Sequence, residues 1–188
     1  LVFPMSAQDP DSALVGHVLA GKYRVDRLIG AGGMGAVYKA ENTSIGRVVA
    51  IKVLKAEHAA STDTVARFLR EASTANLVRH PHVVDVLDIG KDDTAGPFIV
   101  QELLEGEDLG KFCERRGGVV DVDTLLDILM PVIDAVGFAH SRGVVHRDLK
   151  PENIFLARVN SKLVPKLLDF GISQIRSGNE ARMTVTST

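Results

Sequence analysis

The sequence predicts an α+β chain in which strands come first and helices second. Three observations carry this. Between residues 23 and 103, short β-branched runs alternate with glycine-rich or charged turns. One stretch in that half, 64–77, carries apolar residues at helical spacing instead. Beyond Gly106 the spacing turns helical, around 109–115 and 123–141. Strands grouped before helices belong to α+β architectures rather than to alternating βαβ units.

Residues 1–22 read as a lead-in, turn-prone at Asp9-Pro10-Asp11 and partly disordered. Over 23–39, Val25, Leu28 and Val37 alternate loosely around a glycine cluster, which predicts two strands and a glycine-rich turn. Val48-Val49-Ala50-Ile51-Lys52-Val53-Leu54 is a strand with one lysine inside it. The helix over 64–77 presents Val65, Phe68, Leu69 and Ala72, with Ser61-Thr62-Asp63 as its N-cap. His80-Pro81 ends it, because the residue before proline is pushed out of helical geometry. Residues 83–89 and 98–103 read as two further strands around a turn at 91–97. Gly106-Glu107-Asp108 reads as a linker, so the lobes divide into 23–105 and 106–188. The most apolar long segment, 125–138, carries Asp127 and Asp134 and reads as a buried amphipathic helix.

With 188 residues, 45% of them hydrophobic, the chain has the composition of a packed core. A net charge of −2 gives no basic surplus for nucleic acid or an anionic membrane. Cys113 is the one cysteine, which excludes an intrachain disulfide framework and fits a reducing compartment; it reads as a packed thiol. No run of 18 apolar residues occurs. Leu1-Val2-Phe3-Pro4 lacks the basic start and apolar core of a secretory signal, and Met5 is a candidate initiator. The last residues, Thr184-Val185-Thr186-Ser187-Thr188, stop in a polar stretch, so the chain reads as part of a longer protein.

Gly30-Ala31-Gly32-Gly33-Met34-Gly35-Ala36-Val37 spells G-x-G-x-x-G-x-V, in which glycines let backbone N–H groups approach phosphate oxygens. Dinucleotide-binding loops share that spelling but require a helix after the glycines, and here a strand pattern follows. A phosphate loop of the Walker type requires Lys-Ser/Thr after Gly35, where Ala36-Val37 stand. Lys52 is flanked by apolar residues, so its ammonium needs partners. Further on come His146-Arg147-Asp148-Leu149-Lys150-Pro151-Glu152-Asn153 and then Asp169-Phe170-Gly171. His80, His82 and His140 show no pattern for metal or acid–base work and read as structural.

These motifs, in this order, resemble the protein kinase family, and the Gly-Gly-Met-Gly-Ala-Val-Tyr-Lys-Ala spelling resembles the bacterial eukaryotic-type serine/threonine kinases. The resemblance implies a bilobal fold: a first lobe of antiparallel sheet plus one helix, then a mainly helical and truncated second lobe. It implies ATP and Mg2+, with Mn2+ as a substitute, and serine or threonine acceptors in proteins, the latter from Leu-Lys-Pro-Glu-Asn at 149–153. By resemblance Asp148 orients the acceptor hydroxyl, Lys150 and Lys52 neutralise phosphate charge, Glu71 pairs with Lys52, and Asn153 and Asp169 hold metal. Gly30, Ala31, Gly32, Gly33, Met34 and Gly35 would cover the phosphates. Val37, Ala50 and Phe155 would sandwich adenine, and Glu102 to Leu104 would meet its edge, with Gln101 as gatekeeper. Among helix acids, only the resemblance singles out Glu71.

The resemblance also implies that His146 packs near Phe170, and that a phosphate on Thr184, Thr186 or Thr188 pairs with Arg147. No Ala-Pro-Glu or Ser-Pro-Glu element follows, so the fragment alone is expected to be inactive. The rival readings are a nucleotide-binding pseudokinase and a small-molecule kinase. Retention of Lys52, Asp148, Asn153 and Asp169 argues against the first, and Lys150-Pro151-Glu152-Asn153 against the second. The expected setting is a cytoplasmic kinase domain, whose parent has room for a downstream membrane anchor.

Overall fold

The computed structural model describes residues 13–169, apart from the side chain of Glu71. The first lobe is built on a six-stranded sheet in which every neighbouring pair is antiparallel, ordered β1-β2-β3-β4-β6-β5. Its strands are β1 (Val18–Leu19), β2 (Tyr23–Ala31), β3 (Gly35–Asn42), β4 (Arg47–Leu54), β5 (Val86–Asp92) and β6 (Gly96–Glu102). Short helix α1 (Ala56–Ala59) and long helix α2 (Thr62–Leu77) follow β4. Ser61 caps α2 by accepting the Thr64 N–H, as the polar triplet ahead of the helix implied.

The period-two geometry of β4 decides what faces where. Val49, Ile51 and Val53 enter one core with Tyr23, Tyr38, Phe98 and Val100. On the opposite face Leu54 packs with Phe68, Ala72 and Ile99, which seats α2 on the sheet. Lys52 shares that second face, where its side chain is only 18% exposed.

The second lobe combines α3 (Leu109–Arg115) and α4 (Val122–Ser141) with a three-stranded antiparallel sheet, β7 (Gly106–Asp108), β8 (Ile154–Val159) and β9 (Lys162–Leu167). Ile128, Val132, Ala135 and Ala139 form the buried stripe of α4, against Leu109, Phe112, Leu156 and Leu167. Asp121 and Asp108 cap α4 and α3.

The structure corrects several sequence expectations. Gly106-Glu107-Asp108 is not a linker but β7, which pairs with β8 through Gly106↔Ala157 and Asp108↔Phe155. Gly106 has φ +152°, and a Cβ there would stand 2.0 Å from the Leu156 carbonyl oxygen, so the close crossing requires glycine. The strand expected at 83–89 runs three residues later, as Val86–Asp92, because Val83 bridges Leu167 instead. The turn at 91–97 shortens accordingly, with Asp92 Oδ1 accepting the Thr94 and Ala95 N–H groups. From residue 13 the lead-in is ordered: His17 and Gly16 bond Val25, and β1 pairs with β2. Neither α1 nor the β8–β9 hairpin carried a legible periodicity.

Candidate active site

The glycine motif is the turn between β2 and β3, so strand pairing delivers it, with Gly30↔Val37 and Ala31↔Ala36 in register. Its glycines divide into two kinds. A Cβ on Gly30 or Gly33 would meet nothing within 4 Å, whereas one on Gly35 would stand 2.4 Å from the Val53 carbonyl oxygen. Gly35 is thus required by the approach of β3 to β4, while Gly30 and Gly33 leave room above the turn.

Below it, residues 146–153 form a loop fixed by its own side chains. His146, 1% exposed, offers Nε2 to the Leu168 carbonyl at 2.8 Å, and its Nδ1 accepts the Asp148 N–H at 3.3 Å. Those two partners require the neutral tautomer protonated at Nε2. Burial pushes its pKa below the ordinary histidine value, in agreement. Asn153 Nδ2 donates to the Asp148 carbonyl at 2.8 Å and to Asp148 Oδ2 at 2.9 Å, which leaves its Oδ1 for another partner. Lys150 Nζ lies 2.9 Å from the same Oδ2. The Lys150 ammonium first, and Asn153 second, hold the Asp148 carboxyl below the usual carboxylate range, and Asp148 in turn raises Lys150. Arg147 at φ +64° and Asp169 at φ +40° occupy the left-handed region, a conformation that concentrates at functional sites.

Lys52 Nζ reaches Asp169 Oδ1 at 2.8 Å, joining the first sheet to the end of the β9 segment. Lys52, Asp148, Lys150, Asn153 and Asp169 line one cavity of about 550 Å³, roofed by Gly30 to Gly35 and Val37. Arg67 and Phe68 of α2 line it as well. The sequence reading missed these two, although they stand one turn before Glu71, where the helical period puts them on its face of the helix. Other expected residues lie elsewhere. Ala50 and Val49 are buried opposite Gln101 and Glu102, and half-buried Phe155 stands opposite Asp108 and Lys166. None of Ala50, Gln101, Glu102, Leu104 and Phe155 lines that cavity. The Glu102 side chain turns to Lys166 and the Asp85 N–H.

Glu71 sits on α2, with its side chain outside the description. Phe170, Gly171 and the threonines at 184, 186 and 188 also lie outside the described residues. His80 proves to have an acidic neighbour, Asp134 Oδ2 at 3.2 Å, which ties the end of α2 to α4. His82 Nδ1 pairs with the Pro165 carbonyl. Among the described residues no helix is long and apolar enough to cross a membrane.

Comparison with known proteins agrees with this geometry. The protein kinase domain matches residues 23–188. The chain is 41% identical over 177 residues to serine/threonine-protein kinase pkn3 of Myxococcus xanthus, covering 94% of this chain and 32% of the relative. It is 42% identical over 172 residues to Pkn1 of the same organism, covering 91% of this chain and 24% of the relative. The chain therefore spans a third or less of the length of these curated relatives. Among solved structures, the PknI kinase domain of Mycobacterium tuberculosis superposes with a TM-score of 0.72 at 33% identity, covering 86% of this chain and 63% of that one. With its bilobal fold and its ordered motifs, the chain belongs to the protein kinase family.

Proposed function

We propose that the chain carries the phosphoryl-transfer site of an ATP-dependent serine/threonine protein kinase, with lobes divided at 105/106. The observation that supports this most is the convergence of Lys52, Asp148, Lys150, Asn153 and Asp169 on one cavity beneath a glycine turn. The serine/threonine class rests on Leu149-Lys150-Pro151-Glu152-Asn153 and on the names of the relatives.

Phosphoryl transfer has a loose transition state, so catalysis is mostly positioning and charge compensation. Asp148, held well ionised by Lys150, is a weak base, which suits it to orient an acceptor hydroxyl by accepting its hydrogen bond. Lys150, one hydrogen bond away, offers a cation for the group in transit. Lys52 serves the other end of the phosphate chain. The open space above Gly30 and Gly33 fits a phosphate backbone close to the turn.

The donor set also fits magnesium, which takes oxygen ligands and commonly one or two from protein. Asp169 supplies a carboxylate, and Asn153 supplies the Oδ1 left over from its bonds to Asp148. When bound, the ion would neutralise charge on the phosphates. Gln101, Glu102, Leu104, Val37, Ala50 and Phe155 are the proposed adenine end, and Glu71 the proposed acid for Lys52. Autophosphorylation at Thr184 or Thr186 belongs to the same reading.

The test is phosphate incorporation by the full-length protein from Mg·ATP, with mapping of the acceptors. Wild type should label serine or threonine, and Lys52→Met should lose transfer by orders of magnitude while retaining some nucleotide binding. Wild-type turnover by Lys52→Met, or label on tyrosine alone, would sink the assignment. Absence of phosphate between residues 173 and 188 would remove the autophosphorylation part only.

A further inference from the structure

The Glu102 side chain is committed away from the nucleotide cavity. Its Oε1 accepts from Lys166 Nζ at 2.7 Å and from the Asp85 N–H at 2.9 Å, and the Glu102 N–H donates to the Asp85 carbonyl at 3.0 Å. Both side chains of the ion pair are largely covered, at 14% and 24% exposure. The backbone repeats the connection: Leu167 N–H donates to the His82 carbonyl at 2.8 Å, and Val84 N–H to the Leu167 carbonyl at 3.0 Å. The pair lines a second cavity of about 540 Å³, together with Arg79 and His80, separate from the one beneath the glycine turn.

The two partners stand 64 residues apart in sequence and on different sheets. Glu102 ends β6, at the point where the chain leaves the first lobe. Lys166 is on β9, three residues before Asp169. A short, partly buried ion pair has a well-defined geometry, and its loss leaves an uncompensated charge. A link here therefore fixes the spacing of whatever its two neighbours hold.

We propose that Lys166 is a positioning residue: its clasp on Glu102 sets the span between the adenine end of the site and Asp169. This rests on the nucleotide reading above. A ligand that touches both ends depends on that span, and a ligand that touches only the adenine end does not. The clasp thus contributes to affinity for Mg·ATP and not to affinity for adenosine.

The experiment is calorimetric titration of the full-length protein with Mg·ATP and, separately, with adenosine. Lys166→Met should weaken Mg·ATP about fivefold, within the coupling range of contacting groups, and adenosine less than about twofold. Lys166→Arg, which keeps the charge, should recover most of the loss. Should Lys166→Met fail to fold, Lys166→Gln, which also removes the charge and leaves Glu102 untouched, should show the same selective loss. Equal losses for both ligands, or none, would overturn the clasp as a positioning device. Wild type that binds neither ligand would instead overturn the nucleotide reading.

Discussion

The two loops that close on the cavity are held by opposite means. The glycine turn, 30–34, is solvent-exposed throughout, and its bonds are peripheral: Gly32 N–H to Gly35 O, Lys55 N–H to Met34 O, and an exposed bond between half-buried His58 and Gly33 O. The loop at 146–153 is anchored through buried His146 and Asn153, whose side chains bond the backbone on both sides of Asp148. Exposed bonds open at little cost, whereas buried ones leave orphaned polar groups when broken. The difference suits the proposed roles. A cover has to admit and release a nucleotide, and a residue that orients a hydroxyl has to stay where it is.

The largest effect should come from Asp148→Asn, which tests the anchored loop's chemistry without its architecture. Single-turnover transfer by the full-length protein should fall by about 10²–10⁴-fold with the melting temperature nearly unchanged. Transfer within a few-fold of wild type would show that the rigid loop positions something other than Asp148.

Next, His146→Ala removes the anchor. It leaves the Asp148 N–H and the Leu168 carbonyl without their partner, so urea unfolding should show a loss of about 2–4 kcal/mol. A loss under about 1 kcal/mol would erase the contrast between the loops.

Within the glycine turn the contrast sharpens to single residues. Gly35→Ala drives a Cβ toward the Val53 carbonyl, and the forced strand shift should cost about 1–3 kcal/mol. Gly33→Ala meets open space, so its stability should stay within about 0.5 kcal/mol of wild type, and any effect should fall on nucleotide affinity. Equal destabilisation by the two would contradict the division of roles.

The smallest effect is pH dependence. His146 titrates below its ordinary value near 6.5 because burial disfavours the charged ring. As pH falls through 6.5 the unfolded chain takes up a proton that the folded chain refuses, so stability is lost on acidification and is flat above about 7. The difference in urea midpoint between wild type and His146→Gln, followed from pH 8 to 5, should narrow as the pH drops. A constant difference would mean that the ring is not held neutral.

Much of this was legible in the residues themselves, because local physics decided it. The β-branched run around Lys52, the capped helix α2 and the apolar stripe of α4 each follow from short-range periodicity. Asp148, Lys150, Asn153 and Asp169, which line one cavity, could be singled out beforehand because each belongs to a contiguous motif that is legible in its spelling. What escaped was long-range. Residues 106–108 became β7 only because β8 lies beside them, and β5 began late because Val83 bridges Leu167. Arg67 and Phe68 reach the cavity because packing of Phe68 and Ala72 against Leu54 and Ile99 sets the rotation of α2 about its axis.

The sequence by itself therefore determined the family, the course from strands to helices and the residue types at the candidate site. Only the tertiary structure decided that Glu102 turns its carboxylate to Lys166, that Lys52 meets Asp169, and that Gly35 serves the sheet while Gly33 faces open space. The physical reason is that periodicity and capping act over a few residues, whereas an ion pair between β6 and β9 depends on how two different sheets lie against each other.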